Sequence, residues 1–90
     1  MYARQTKIIN KTGLHARPAS AFVMATKRFK SDITIRNVDA GGDGANAKSI
    51  IMLLAAGLSY GTTIEVAANG ADEKEAVDHL VALIDSGFGE

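Results

Sequence analysis

The sequence predicts a two-layer α+β sandwich, in which helices cover one face of a β-sheet and the other face meets solvent. Residues 32–38 and 62–68 each alternate apolar and polar side chains, as half-buried strands do. Residues 17–29 and 72–85 each carry one apolar stripe at helical spacing. A single layer of helices on one face of an antiparallel or mixed sheet buries all of these apolar residues.

The first half of the chain predicts a strand, a helix and a second strand. Residues 2–9 are interpreted as a strand, which Thr12-Gly13 ends. Proline is tolerated only in the first turn of a helix, so Pro18 indicates a helix from about residue 17 to 29. Its apolar stripe consists of Ala19, Phe22, Val23, Thr26 and Phe29. The strand 32–38 follows.

The second half predicts a short strand, a short helix, a strand and a long helix. The short strand lies near residues 44–47, after a glycine-rich turn. Ser49 is a good N-cap for an apolar helix over residues 50–56, which Gly57 closes. The strand 62–68 comes next.

The last helix begins after Asn69-Gly70, which ends the preceding strand. Asp72 followed by Glu75 resembles a capping box in its aspartate form. The helix is then expected to run to about Asp85 on an apolar stripe of Ala76, Val77, Leu80, Leu83 and Ile84.

Composition excludes several classes of function. Ninety residues are expected to form one domain, 1–90. The absence of cysteine excludes disulfides, thiolate metal sites and thiol nucleophiles, and no metal or cofactor is expected. No apolar run approaches the ~18 residues of a membrane span, and the N-terminus lacks the apolar core of a signal peptide. A soluble cytoplasmic protein is therefore expected.

The formal net charge of zero conceals a division between the two halves. Residues 1–48 contain nine of the ten Lys and Arg residues and three of the ten Asp and Glu residues. Such asymmetry predicts a basic face for an anionic ligand or an acidic partner. Nucleic acid is not the expected partner, because the aromatic residues show no alternation with basic residues along a strand.

The segment Gly13-Leu14-His15-Ala16-Arg17-Pro18 suits chemistry better than packing. Gly13 permits a turn and Pro18 starts the helix, so His15 is expected beside unpaired helix amides and the positive end of the helix dipole. Such helix ends bind phosphate, and Arg17 adds a guanidinium that can contact two phosphate oxygens. The positive surroundings favour a neutral, nucleophilic imidazole. These features predict that His15 accepts a phosphoryl group, stabilised by Arg17 and the backbone of Ala16 and Arg17.

The segment Leu14-His15-Ala16-Arg17-Pro18-Ala19 closely resembles the active-site signature of the HPr family, the histidine-containing phosphocarriers of the bacterial sugar phosphotransferase system. Asn46-Ala47-Lys48-Ser49-Ile50 resembles the family's regulatory serine segment, and residues 61–71 resemble its last strand and turn. The resemblance covers nearly the whole chain. It implies an open-faced sandwich of order β-α-β-β-α-β-α, with a four-stranded antiparallel sheet and three helices on one face.

The resemblance also implies a function and partners. Enzyme I would transfer phosphate from phosphoenolpyruvate to Nδ1 of His15, and the phosphohistidine would pass it to the IIA domains of sugar permeases. The chain would then be a carrier that its partners modify, and not an enzyme. An exposed histidine that two larger partners cover in turn needs no pocket of its own. Nothing in the sequence requires more than a monomer.

Two further sites are expected, a modified serine that the resemblance implies and a docking surface that the apolar run after it predicts. Ser49 would be phosphorylated by an HPr kinase/phosphorylase, and a catabolite-control transcription factor is a further expected partner. The run Ile50-Ile-Met-Leu-Leu54 is too apolar for a short helix buried on one side only, so part of it is expected to be exposed. The predicted docking surface consists of Ser20, Met24, Lys48, Ile51, Met52 and Leu54.

The chain departs from the family pattern in two places. The second helix of the family usually carries a small residue soon after the serine-isoleucine pair, whereas Met52-Leu53-Leu54 is bulky throughout. The turn between residues 38 and 45 is a few residues longer than usual. Neither departure touches the histidine motif. Both lie in segments that are expected to affect which partners the chain prefers.

Two other functions compete with the phosphocarrier. A regulatory paralogue would act through Ser49 and a transcription factor, but such homologues replace the active histidine, and His15 is present here. A small-molecule-binding or nucleic-acid-binding domain of similar topology leaves the His15 motif unexplained. The second histidine, His79, has no proline-started helix or arginine beside it and is expected to be an ordinary solvent-exposed side chain.

Overall fold

The computed structural model describes residues 1–11, 13–14 and 16–89. Its elements follow the predicted order, and a short 3₁₀ turn over Gly87–Gly89 comes after the last helix. They are β1 (Tyr2–Lys7), α1 (Ala16–Thr26), β2 (Asp32–Asn37), β3 (Ala45–Asn46), α2 (Ile50–Ala55), β4 (Thr63–Asn69) and α3 (Glu73–Asp85).

The four described strands form one sheet in the order β1-β4-β2-β3, with each neighbouring pair antiparallel. The predicted antiparallel sheet is therefore confirmed, with three helices on one of its faces. The alternation seen in the sequence sets the buried face, since cross-strand partners point to the same side of a sheet. The inward side chains of the two central strands are almost wholly buried, namely Ile33, Ile35, Ile64, Val66 and Ala68.

The helical layer completes the hydrophobic core. Phe22 of α1 is fully buried, and its ring meets Phe88 edge to face with 6.4 Å between centroids. Burying one phenylalanine side chain contributes roughly 1.5–3 kcal/mol to folding. The inward residues of α3 are at most 1% exposed, namely Ala76, Val77, Leu80, Val81 and Ile84. These residues include four of the five predicted for the α3 stripe, and the fifth, Leu83, is half-buried.

The inner face of the edge strand β1 is polar. Tyr2 and Arg4 both donate hydrogen bonds to Asp78 of α3, at 3.0 and 3.1 Å, and the Thr6 hydroxyl donates to Asp85. The flank of α3 that covers β1 is thus acidic, and β1 shows no apolar alternation for that reason. Part of the basic charge of the N-terminal half is neutralised here.

The prediction that α1 extends to about residue 29 was wrong at its end, because the helix stops at Thr26. The Thr26 hydroxyl donates to the carbonyl of Val23 at 2.6 Å, and the amides of Arg28 and Phe29 bond three residues back, not four. A side-chain hydroxyl that bonds the preceding turn competes with the helical ladder. The chain therefore tightens into a turn after Thr26.

The predicted capping box at Asp72 and Glu75 was also wrong. Asp72 is the N-cap residue of α3, but its side chain makes no capping hydrogen bond. Its carboxylate instead accepts hydrogen bonds from the Lys30 amide at 2.8 Å, the Ser31 amide at 3.0 Å and the Ser31 hydroxyl. Because these donors lie 41 and 42 residues away in sequence, local spacing could not reveal them.

In the part of the chain that is described, no helix combines the length and apolar character needed to cross a bilayer. The longest of these helices, α3, has 13 residues.

The contacts of Asp72 predict an acid-sensitive contribution to stability. The hydrogen bonds from Ser31 and Lys30 hold the pKa of Asp72 below its usual value of 3.8. A lowered folded-state pKa stabilises the fold at higher pH, and the contribution is lost as pH falls through that pKa. We expect Asp72→Asn to lower the Tm by several degrees at pH 7, and the difference from wild type to shrink below pH 3.8. Thermal unfolding followed by circular dichroism across this range measures both.

Glu75→Gln is the matched control, since Glu75 is exposed on the same helix. Its Tm at pH 7 should equal that of wild type. If Glu75→Gln lowered the Tm as much as Asp72→Asn does, the capping box would be favoured and the contacts of Asp72 described above would be contradicted.

Candidate functional site

The loop between β1 and α1 is held against the loop between α2 and β4 by backbone hydrogen bonds. The Leu14 amide donates to the Leu58 carbonyl at 2.8 Å, and the Gly61 amide donates to the Ile8 carbonyl at 2.8 Å. The Ile8 amide in turn donates to Thr62 at 3.0 Å. Leu14 is 4% exposed, so its side chain anchors the same loop in the core.

Gly13 is required where these two loops meet. Its φ is +73°, a conformation that residues with a side chain rarely adopt. A Cβ atom at this position would lie 2.7 Å from the Leu58 carbonyl oxygen and 2.9 Å from Ser59 Cα, and both of these atoms belong to the backbone. The predicted turn at Gly13 thus permits a close approach of two chain segments.

The predicted phosphoryl acceptor, His15, lies outside the described residues. In the sequence it stands between Leu14, whose amide and side chain are both anchored, and Ala16, where α1 begins.

The first turn of α1 is built as the sequence predicts. Pro18 is buried within it and removes no hydrogen bond, since the first amides of a helix have no partner inside the helix. The amides of Ala16 and Arg17 are among these, and they lie at the positive end of the helix dipole. A phosphate group at this position would be stabilised by both effects.

Arg17 is exposed and forms no ion pair or side-chain hydrogen bond with any described residue. Lys27 and Arg28, in the turn after α1, likewise form no ion pair within the described ranges. By contrast, Arg4 and Arg36 are paired with Asp78 and Glu65, at 3.1 and 3.3 Å. Arg17 of α1 and the two cations of the turn after it are therefore available to an anionic partner.

Ser49 is confirmed as the N-cap of α2. Its backbone is extended, with φ −107° and ψ 115°, and its hydroxyl oxygen accepts a hydrogen bond from the Met52 amide at 3.3 Å. The Ser49 amide donates to the Asn46 carbonyl at 3.1 Å, and this bond closes the turn between β3 and α2. The side chain is half-buried and lies at the positive end of α2.

The structure exposes five of the six residues of the predicted docking surface. On α2 the exposed fractions are 77% for Ile51, 45% for Met52 and 48% for Leu54, whereas Leu53 is fully buried. On α1, which packs against α2, Met24 is 68% exposed and Ser20 is also exposed.

Lys48 differs from the other residues of the predicted docking surface. It is half-buried, and its Nζ donates a hydrogen bond to the Phe29 carbonyl at 2.9 Å. Lys48 therefore ties the start of α2 to the turn after α1, a contact that local sequence reasoning did not find.

Sequence reasoning also did not identify Tyr60, which is 63% exposed in the loop that holds Leu14. The only sequence signal for it is an aromatic residue next to Gly61. His79 is exposed as predicted, and its ring contacts Phe29 with 5.6 Å between centroids.

Comparison with known families matches residues 2–86 to the family described as "PTS HPr component phosphorylation site". The chain is 48% identical over 84 residues to the phosphocarrier protein HPr of Haemophilus influenzae, which covers 93% of this chain and 95% of that protein.

Two solved structures extend the comparison to the fold. HPr-C-His from Thermoanaerobacter tengcongensis is 43% identical, covers 100% of this chain and 98% of its own, and superposes with a TM-score of 0.92. Crh, the Bacillus subtilis catabolite repression protein, is 38% identical with 97% of both chains covered and a TM-score of 0.74.

The contact at Gly13 predicts a loss of stability on adding one methyl group. Gly13→Ala combines a positive φ, costing about 1–2 kcal/mol, with overlap against the Leu58 carbonyl. Gly41→Ala is the matched control, since its φ is +66° but a Cβ there has no neighbour within 4 Å. We expect the loss for Gly13→Ala, measured by urea unfolding, to exceed that for Gly41→Ala by at least ~1 kcal/mol. Equal losses would show that the close approach of the two loops is absent.

Proposed function

Because the chain belongs to the HPr family of phosphocarriers in the phosphotransferase system, we propose that it accepts a phosphoryl group on His15 from phosphorylated enzyme I and donates it to IIA domains of sugar permeases in the cytoplasm. The observation that carries this proposal is the local structure on both sides of His15 in the sequence. Before it, Gly13 and Leu14 are fixed against the 58–61 loop, and after it, α1 opens with Arg17 exposed and unpaired among the described residues.

The proposed chemistry is a transfer between two imidazoles. Nδ1 of His15 attacks the phosphorus atom of the enzyme I phosphohistidine, a new P–N bond forms, and the P–N bond of the donor breaks. The acceptor must be neutral to attack, and the positive end of α1 and Arg17 favour that form. Arg17 and the amides of Ala16 and Arg17 then stabilise the charge on the transferred group.

The surface around α1 and α2 supports docking of two larger partners in turn. Met24, Ile51, Met52 and Leu54 expose apolar surface, which marks protein interaction sites on soluble domains. Arg17 of α1, with Lys27 and Arg28 in the turn after it, favours a partner with acidic charge. The phosphoryl-acceptor segment and the docking surface both belong to one chain, and neither needs a residue from a second copy. We therefore propose that the chain acts as a monomer.

Ser49 is the proposed site of regulation by an HPr kinase/phosphorylase. A phosphate on its hydroxyl would lie at the N-terminus of α2, where helix amides and dipole tolerate it. The added charge would stand next to the exposed Ile51 and Met52, and it would repel an acidic surface of enzyme I. Phosphorylation of Ser49 is therefore expected to weaken docking without unfolding the chain.

The similarity to Crh favours a second candidate function, in which the chain acts through phosphorylated Ser49 and a transcription factor of catabolite control. His15 argues for the phosphocarrier, because the regulatory paralogues lack the active histidine. The two candidates differ in whether His15 takes up phosphate, which a direct experiment decides.

Incubation with enzyme I and radiolabelled phosphoenolpyruvate should label the chain, and the label should be acid-labile and base-stable. We expect His15→Ala to abolish labelling and His79→Ala, which alters the other histidine, to retain it. If the His15→Ala variant is still labelled, His15 is not the phosphoryl acceptor. If the wild-type chain takes up no label, the regulatory paralogue is favoured.

Incubation with ATP and an HPr kinase should add one acid-stable phosphate at Ser49. Ser49→Ala should lose this label and also about 1 kcal/mol of stability, because the cap is removed. Ser59→Ala, at an exposed serine outside α2, should keep the label. If a kinase that is active on another HPr leaves the wild-type chain unlabelled, Ser49 is only a helix cap.

A further inference from the structure

The two departures from the family pattern meet in one place. The long turn over residues 38–45 and the bulky Met52 of α2 line opposite sides of a surface cavity of about 400 Å³. A volume of this order is large enough for a complete side chain of another molecule. The two departures therefore create one feature together, which the proposed transfer at His15 does not use.

The wall formed by the turn is held in place by its own hydrogen bonds. Asn37 accepts from the Ala40 amide at 3.0 Å and donates to the Gly57 carbonyl at 3.2 Å, which ties the turn to the end of α2. Asp39 accepts from the Thr63 amide at 2.9 Å, and the Val38 amide donates to the Thr63 carbonyl at 2.9 Å. The turn wall of the cavity is thus held by hydrogen bonds to the chain after α2 and to the start of β4.

The opposite wall is apolar and continuous with the predicted docking surface. It consists of Met52, Ala55 and Ala56 of α2, and Ala45 of β3 extends it. Met52 belongs to both features, since it is one of the exposed docking residues and also lines the cavity. A partner seated on Ile51 and Met52 would therefore lie next to the cavity mouth.

Asp43 supplies the charge at the cavity. It is exposed, lines the cavity, and forms no ion pair or hydrogen bond with the residues described. Asn37, the other lining residue with a polar side chain, has both ends of its amide occupied within the turn. The cavity thus offers an apolar wall and one carboxylate available for a cation.

We propose that this cavity is a specificity subsite that receives one arginine side chain of the protein partner docked on α2. The alkyl stem of arginine covers apolar surface such as that of Met52 and Ala55, while its guanidinium pairs with a carboxylate such as that of Asp43. A purely apolar side chain would leave Asp43 without a counter-charge at the interface. The inference rests on the proposed function, since the partner is enzyme I or a IIA domain.

Two variants test the subsite. Asp43→Asn removes the charge, and Ala55→Phe fills the cavity from an exposed helix position. Glu75→Gln and Ala82→Phe make the same changes at exposed positions of α3 and serve as matched controls. The readout is the KM and kcat of phosphoryl transfer, first from enzyme I to this chain and then from this chain to a IIA domain. The Tm of each variant shows that it is folded.

We expect Asp43→Asn to raise the KM for one partner roughly two- to fivefold, the range of an exposed ion pair. Ala55→Phe should raise it about tenfold or more, and kcat and both controls should stay at wild-type values. A KM unchanged for both partners in both variants overturns the subsite and leaves His15 labelling intact. If only Ala55→Phe raises the KM, the cavity is used but the pairing of an arginine with Asp43 is overturned. If wild type takes up no phosphate at all, the proposed function and this inference fail together.

Discussion

The close approach of the two loops at Gly13 is the contact on which the rest of the site depends. The Leu14 amide bonds to the Leu58 carbonyl at 2.8 Å only because Gly13 has no side chain and takes a positive φ. This contact fixes the chain immediately before His15, and Pro18 fixes the helix start immediately after it. A transfer between two proteins relies on alignment and charge neutralisation more than on an enclosing pocket. For the proposed transfer the chain must hold the segment around one residue in place, and these two constraints act on the described residues before and after His15 in the sequence.

The fold could be predicted because its central elements carry strong local patterns. The alternation of β2 and β4 and the stripe of α3 identify the buried faces that the structure shows. The errors arose where a distant contact overrides a local pattern. Asp72 caps no helix amide because its carboxylate bonds to residues 30 and 31. In α1 the Thr26 hydroxyl bonds back to Val23, and the helix ends three residues early.

The candidate site could be predicted in part, for a similar reason. Gly13 and Ser49 act through local backbone geometry, and Pro18 stands in the first turn of α1, all of which sequence spacing encodes. Lys48 bonds to a carbonyl 19 residues away, so spacing alone does not show that its side chain is half-buried and tied to the turn after α1. The cavity beside Met52 requires knowing that the long turn folds towards α2, which depends on the bonds from Asn37 to Gly57 and from Thr63 to Asp39. If the proposed subsite is correct, variation in that turn would alter partner choice without changing the histidine segment.

Amide hydrogen exchange at Leu14, followed by NMR, tests the central claim most directly. The account predicts that this amide exchanges as slowly as those of the buried sheet, such as Ile35, both before and after phosphorylation of the chain. Exchange as fast as that of Asp43, in the exposed turn, would contradict the account, because the segment before His15 would then not be held against Leu58.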